Sequence, residues 1–175
     1  ERFPARDVYD KASTEIAAHL DAGRDVAVLC EGDPFFYGSF MYVFERLAGQ
    51  YPTEVVPGVS SMMAAASAAG RPLAARNDVL SVVPGPLGDE ELTNRFNAAD
   101  ALAIIKIGRH FKRLRALIEK LNLLPHAIYV ERVSLDAERL MPLADVPENT
   151  APYFSMILIY KGGEDWIQTL PGSKP

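Results

Sequence analysis

The residues best suited to chemistry lie in one acidic, glycine-containing segment, Glu31-Gly-Asp-Pro-Phe-Phe-Tyr-Gly38. Gly32 lets the backbone approach a ligand without a Cβ in the way, and the Asp33 carboxylate supplies acceptor oxygens. That carboxylate could take up a proton as a general base, or it could only accept hydrogen bonds from the backbone of its own turn. The segment therefore predicts a ligand-binding loop and leaves both roles of Asp33 open.

This loop follows an apolar run over residues 26–30, which predicts a strand covered on both faces, as in a parallel sheet. A second run over residues 53–56 predicts another strand, followed by the turn Pro57-Gly58 and by a helix that Ser60 or Ser61 can cap. Ligands of open parallel sheets bind outside the carboxyl ends of the strands. Because right-handed crossovers keep the strand direction constant, we expect both loops at the same edge of one sheet.

The rest of the chain also alternates helices and strands. Interrupted periodicity around residues 71–78 indicates a junction, so we predict an N-terminal α/β domain over residues 1–76, a C-terminal α/β domain over 77–163 and a tail over 164–175. We predict helices over residues 7–22, 37–48, 89–98 and 111–121, strands over 79–83, 101–107, 126–133 and 154–160, and an irregular segment with one short strand over 134–149.

Composition argues against several classes of function. The net charge of the 175-residue chain is −5 with scattered basic residues, which argues against the basic surface that nucleic-acid binding requires. The three histidines and the single cysteine show no metal-ligand spacing, and no apolar run approaches the roughly 20 residues of a membrane span. No Gly-x-x-x-x-Gly-Lys-Ser/Thr run is present, which disfavours a phosphate-binding loop. We expect a cytoplasmic protein without a metal, nucleic-acid or membrane partner.

Five short motifs in order resemble the tetrapyrrole (corrin/porphyrin) methylase family. They are Glu31-Gly-Asp-Pro-Phe-Phe-Tyr-Gly38, Val56-Pro-Gly-Val-Ser-Ser61, Lys106-Ile-Gly108, Glu131-Arg-Val-Ser134 and Tyr153-Phe-Ser-Met-Ile157. The aromatic segment over residues 33–42 is most similar to the branch of the family that methylates precorrin-2 at C-20, giving precorrin-3A, in cobalamin biosynthesis. The resemblance thus implies an S-adenosylmethionine-dependent C-methyltransferase, although short motifs do not fix which ring carbon is methylated.

The resemblance implies two α/β domains with a cleft between them, the first a mostly parallel sheet and the second a mixed sheet. S-adenosyl-L-methionine would bind in the cleft with its methyl group aimed at the tetrapyrrole, and Asp33 would be the candidate catalytic base. The residues that the resemblance assigns to the cofactor are Glu31, Gly32, Asp33, Phe36, Ser60 and Ser61 from the first domain and Ile107, Val133 and Ser155 from the second.

The substrate implied by the resemblance is a macrocycle with many carboxylates, which arginine recognises well. Arg109 and Arg132 lie near predicted loops, and Tyr37 could offer aromatic surface to the ring. The alternatives are solvent or surface ion pairs for the arginines and core packing for the tyrosine. Glu131 either pairs with an arginine or faces the substrate. The family also implies a homodimer.

One departure from the family pattern concerns the start of the chain. Family members begin with a further strand and a glycine-rich loop, and nothing in residues 1–25 matches that loop. The first sheet would therefore lack its N-terminal strand, and we expect the isolated 175 residues to bind cofactor poorly and to lack activity. The alternative class is a non-catalytic or truncated ligand-binding domain of the same fold.

Overall fold

The structure, a computed structural model, describes residues 6–147, 150–164 and 167. It divides into two compact units, Glu1–Ser60 and Ser61–Pro175. The domain boundary after residue 76 stays a prediction. The tail predicted over residues 164–175 lies, apart from Glu164 and Ile167, outside the described residues.

The first unit is built around two helices, α1 (Arg6–Asp21) and α2 (Phe40–Leu47). The rings of Tyr9 and Tyr42 pack with centroids 5.0 Å apart. Arg46 joins the same two helices, since its Nε lies 2.7 Å from Asp10 Oδ1. Both helices were predicted from the sequence. Together, α1 and α2 are the helices of the described part of the first unit.

The strands predicted over residues 26–30 and 53–56 are not formed. Residues 24–30 and 52–60 have no regular secondary structure, and all strands of the described chain lie in the second unit. Val28 is 42% exposed and Leu29 94% exposed, so the run is not covered on both faces. An apolar run becomes a strand only where a neighbouring segment supplies ladder hydrogen bonds, and no described segment pairs with either run.

The second unit is an α/β unit with one mixed five-stranded sheet in the order β1-β2-β5-β3-β4. Strand β1 runs parallel to β2, whereas β5 is antiparallel to both β2 and β3, and β4 is antiparallel to β3. The α/β class and the mixed sheet are therefore confirmed. The strands are β1 (Leu80–Pro84), β2 (Ala101–Ile105), β3 (Ala127–Glu131), β4 (Arg139–Pro142) and β5 (Ser155–Tyr160), and the helices are α3 (Ser61–Ala68), α4 (Asp89–Ala98) and α5 (Phe111–Lys120).

Buried side chains from the sheet and from α4 and α5 form the core of the second unit. Phe96 of α4, Leu114 of α5 and Ile157 of β5 are fully buried in the same cluster. Every residue of β3 and β5 is buried, as expected for central strands whose sequences show no polar alternation. These contacts fix the positions of the strand ends from which the loops of the sheet leave.

Sheet topology brings three loops to one edge. Ile104 of β2 pairs with Ile157, and Glu131 of β3 pairs with Ser155, the first residue of β5. Because β5 is antiparallel to both neighbours, its amino end lies beside the carboxyl ends of β2 and β3. We call the loops over residues 106–110, 132–134 and 150–154 the β2, β3 and β5 loops. Within the described residues, no helix combines the length and the apolar character needed to cross a bilayer.

Candidate binding site

In the first unit, the two loops predicted to converge do so through a close backbone approach at Gly58. A Cβ on Gly58 would overlap the carbonyl oxygen of Gly32 and lie 2.8 Å from its carbonyl carbon and 3.2 Å from the Cα of Asp33. These are backbone atoms, which cannot swing aside as the end of a side chain can. Gly32 itself has a φ of 75°, the left-handed region that glycine adopts without strain. The spacing of these glycines thus permits the contact between the two loops.

Asp33 fastens that contact with both of its carboxylate oxygens. Oδ2 accepts the backbone N–H of Gly58 at 2.9 Å, and Oδ1 accepts the N–H of Phe35 at 2.9 Å. The hydrogen bond from Gly58, followed by the one from Phe35, lowers the pKa of Asp33 below its usual value of 3.8. The carboxylate therefore stays ionised at neutral pH and acts as a backbone clamp, one of the two roles left open by the sequence. Proton uptake by Asp33 stays a prediction.

The lowered pKa of Asp33 predicts how acid affects stability. Because the folded-state pKa lies below the unfolded value, the clamp contributes its full stabilisation above about pH 4 and loses it as the pH falls through the folded pKa. We expect Asp33→Asn to be less stable than the wild type at neutral pH and the difference to shrink towards about pH 2. Urea midpoints measured across this range check the prediction. A difference between the two proteins that does not change with pH would contradict it.

The other predicted residues around this loop differ in exposure. Glu31 is exposed, and Phe36 is partly buried with its ring edge-on to that of Tyr37 at 5.1 Å. Tyr37 is 48% exposed and has a φ of 55°, a strained conformation for a side chain of this size. Ser60 is 8% exposed, and its Oγ is buried without a hydrogen-bond partner. A buried hydroxyl left unpaired is costly, so this atom is suited to bind a polar ligand group.

In the second unit, Ile107, Val133 and Ser155 lie in or beside the three loops at one sheet edge. Ile107 is fully buried, Val133 is partly buried and Ser155 is 7% exposed. Ser155 Oγ donates to the carbonyl oxygen of Pro152 at 2.6 Å, and a Cβ on Gly108 would lie 4.0 Å from that same oxygen. The structure therefore brings the three predicted residues to one edge, as their places in the motifs require.

Left-handed backbone conformations concentrate at this edge. Lys106 in the β2 loop has a φ of 56°, and Arg132 and Ser134 in the β3 loop have φ values of 50° and 66°. Such conformations are costly for residues with a Cβ and cluster at ligand sites. They turn the chain sharply after β2 and after β3.

Glu131 is held by three hydrogen-bond donors and does not point freely to solvent. Its side chain is 4% exposed. Oε2 accepts the hydroxyl of Tyr129 at 2.5 Å, while Oε1 lies 3.2 Å from Nη1 of Arg132 and 3.3 Å from Nη1 of Arg139. The pairing with arginine that the sequence left open is the one observed. Arg139 was not predicted as a partner of Glu131. The register of the β3–β4 pair, which places Arg139 opposite Glu131, is the feature that would have identified it.

One further predicted residue and two residues that were not predicted lie in the loops at this edge. Arg109 is exposed, and its Nε donates to Nε2 of His110 at 3.2 Å. Two aromatic residues of the β5 loop were not predicted as site residues, although they belong to the last motif: Tyr153 is 86% exposed and Phe154 is 55% exposed. Among the residues that the structure describes, no group of three or more His, Cys, Asp or Glu side chains is arranged to hold a metal ion.

Two relatives align with most of this chain. Precorrin-2 C(20)-methyltransferase of a Sinorhizobium species is 43% identical over 153 residues, which are 87% of this chain and 62% of that protein. Cobalamin biosynthesis protein CobIJ of Mycobacterium tuberculosis is 46% identical over 156 residues, or 89% of this chain and 31% of that protein. The chain thus spans less than two thirds of the length of these relatives.

A solved structure shares the fold. Uroporphyrin-III C-methyl transferase from Thermus thermophilus, in complex with S-adenyl homocysteine, matches with a TM-score of 0.61 and 26% identity over 85% of this chain and 72% of that one. The family model described as Tetrapyrrole (Corrin/Porphyrin) Methylases matches residues 1–147. On this match, the chain belongs to the tetrapyrrole (corrin/porphyrin) methylase family.

Proposed function

We propose that the protein carrying this chain is an S-adenosylmethionine-dependent C-methyltransferase that methylates precorrin-2 at C-20 to give precorrin-3A in cobalamin biosynthesis. The observation that carries the proposal is the 43% identity to the Sinorhizobium precorrin-2 C(20)-methyltransferase over 87% of the chain. Membership of the family does not specify which ring carbon is methylated, so the choice of C-20 rests on that relative. A cytoplasmic location and a homodimer are part of the same proposal and rest on the family alone.

The residues present fit the cofactor. Ser60 offers a buried hydroxyl without a partner, and Gly32 and Gly58 carry no side chain where their two loops approach each other. Backbone N–H and C=O groups can recognise an adenine edge and a zwitterionic amino acid without charged side chains. The residues proposed to hold it are Glu31, Gly32, Asp33, Phe36 and Ser60, which lie in the first unit, and Ser61, Ile107, Val133 and Ser155, which lie in the second.

Positioning accounts for most of the catalysis in this proposal. When bound, S-adenosylmethionine supplies a sulfonium methyl group that is already a strong electrophile. The protein then has to hold the attacking carbon at a near-attack distance of about 3 to 3.5 Å from it. Asp33 contributes by fixing the Gly58 loop, and its ionised carboxylate is the candidate to take up the proton that the ring carbon loses. Tyr37, Arg109 and Arg132 would contact the tetrapyrrole.

Calorimetry on the full natural chain tests this function. Titration with S-adenosylhomocysteine is expected to give saturable binding, whereas adenosine triphosphate is expected to give none, because the acidic loop repels phosphate and lacks the lysine of a phosphate-binding loop. Binding of the triphosphate without the homocysteine compound would favour a nucleotide enzyme instead. No measurable binding of either compound would favour a non-catalytic domain and would contradict the proposal.

A further inference from the structure

The β5 loop presents two large aromatic rings to solvent at the candidate edge of the second unit. Tyr153 is 86% and Phe154 55% exposed, and their rings pack edge to face with centroids 5.1 Å apart and an interplanar angle of 79°. Exposed aromatic side chains that pack together are typical of binding surfaces. The two rings together are therefore a candidate contact surface.

Backbone hydrogen bonds hold both residues in place. The carbonyl oxygen of Phe154 accepts the N–H of Arg132 at 2.8 Å, and that of Tyr153 accepts the N–H of Ser155 at 3.0 Å. Ser155 Oγ in turn donates to Pro152. The exposure of the rings is thus built into the end of the β3–β5 ladder, because the backbone on both sides of them is fastened to the sheet.

The backbone of an arginine pairs with this aromatic segment. Arg132 follows β3 directly opposite Phe154, and its side chain is 43% exposed. The buried Glu131 carboxylate accepts a hydrogen bond from this side chain, with Oε1 at 3.2 Å from Nη1, whereas a guanidinium has five N–H donors in all. Arg132 also has the left-handed φ of 50°, so that the chain turns sharply at this residue.

Rings and cation together select one kind of ligand. A flat apolar ring stacks on aromatic side chains, and an arginine binds a carboxylate at the rim of such a ring. The adenine ring of S-adenosylmethionine bears no carboxylate at its rim, and the cofactor's single carboxylate lies in its methionine part, whereas the macrocycle of a tetrapyrrole intermediate carries several carboxylates around its rim. We propose that Tyr153, Phe154 and Arg132 form a docking platform for the tetrapyrrole substrate, in which the two aromatic side chains contact the macrocycle and Arg132 binds a peripheral carboxylate. The proposal rests on the proposed function for the identity of the substrate.

The test measures two ligands on the same variants of the full natural chain. The tetrapyrrole probe is uroporphyrin III, a stable polycarboxylate porphyrin followed by its fluorescence, and the cofactor probe is S-adenosylhomocysteine followed by calorimetry. The variants are Tyr153→Ala/Phe154→Ala and Arg132→Gln. The control is Val79→Ala, because Val79 is similarly exposed, at 56%, but precedes β1 at the opposite edge of the sheet.

We expect the double alanine variant to weaken uroporphyrin binding by about tenfold or more, as loss of stacking surface does for flat ligands. Its affinity for S-adenosylhomocysteine should stay unchanged. Arg132→Gln should weaken uroporphyrin binding and reduce its salt dependence, since one charged contact is lost. Val79→Ala should leave the affinity for both ligands unchanged.

Three results would overturn the platform: no uroporphyrin binding by the wild type, unchanged binding in the double variant, or an equal loss of S-adenosylhomocysteine, which would assign the rings to adenine. Failure of the proposed function has a different signature. If the wild type binds uroporphyrin through these residues but no S-adenosylhomocysteine, the platform stands and the methyltransferase proposal falls.

Discussion

Gly58→Ala is expected to abolish S-adenosylhomocysteine binding and to destabilise the folded chain by about 3 kcal/mol or more. The added methyl group would overlap the carbonyl oxygen of Gly32, and the nearest atoms around it are all backbone. The two loops must therefore separate, which also breaks the hydrogen bond from the Gly58 N–H to Asp33. Calorimetry and urea denaturation measure the two effects.

Gly49→Ala is the matched control for this substitution. Gly49 lies in the same unit, after α2, and a Cβ there would meet nothing within 4 Å. We expect the control to change the free energy of unfolding by no more than about 0.5 kcal/mol and to leave ligand binding intact. If Gly58→Ala bound S-adenosylhomocysteine as well as Gly49→Ala does, the contact between the two loops would have no part in cofactor binding.

Glu131→Ala is expected to lower the free energy of unfolding by about 3 kcal/mol. The substitution removes the acceptor of the buried Tyr129 hydroxyl and of Arg132 and Arg139 at once. Removing one partner of a buried charged group costs about 3 to 5 kcal/mol, and the lower end applies because both arginines are about two-fifths exposed and can be hydrated again. Urea denaturation gives the value.

Two further variants separate charge from shape at this position. Glu131→Gln keeps the size of the side chain and one carbonyl acceptor, so we expect roughly half the loss of the alanine variant. Glu119→Ala removes an exposed carboxylate from the last turn of α5, and its effect should stay within about 0.5 kcal/mol. A loss at Glu131→Ala no larger than that at Glu119→Ala would show that the cluster does not stabilise the sheet edge.

Local sequence predicted the second unit well because its central strands carry their own signal. Residues 101–107 and 154–160 are nearly continuous apolar runs, and the strands Ala101–Ile105 and Ser155–Tyr160 form inside them. Such runs are buried on both faces whichever strands they pair with, so their type can be recognised without knowing the partner. The short strand expected within residues 134–149 is Arg139–Pro142.

The same signal failed over residues 26–30, because an apolar run is only half of what a strand needs. A strand also needs a neighbouring segment whose backbone N–H and C=O groups are available for ladder hydrogen bonds. The sequence of the apolar run does not specify such a neighbour. The contact of Gly58 with Gly32 was anticipated in outline, as two loops at one edge. It forms here through the Asp33 carboxylate rather than through a sheet.

The details of the candidate site depend on register and exposure, which motifs do not carry. Arg139 reaches Glu131 because β4 pairs with β3 in one particular register. In the sequence, Tyr153 and Phe154 stand at the start of the strand predicted over residues 154–160. Only the structure shows that no described part of the chain buries their rings. Residue types therefore identified the loops, whereas the partners within them required the structure.

Transfer of a labelled methyl group is the decisive test of whether the protein methylates precorrin-2 at C-20. The full natural chain would be incubated anaerobically with precorrin-2 and S-adenosylmethionine carrying a ¹³C methyl group, and the product examined by nuclear magnetic resonance. We expect one new labelled methyl group, attached to C-20. Absence of label from the tetrapyrrole, with intact folded protein, would contradict the methyltransferase assignment, and label on a different carbon would contradict the proposed position.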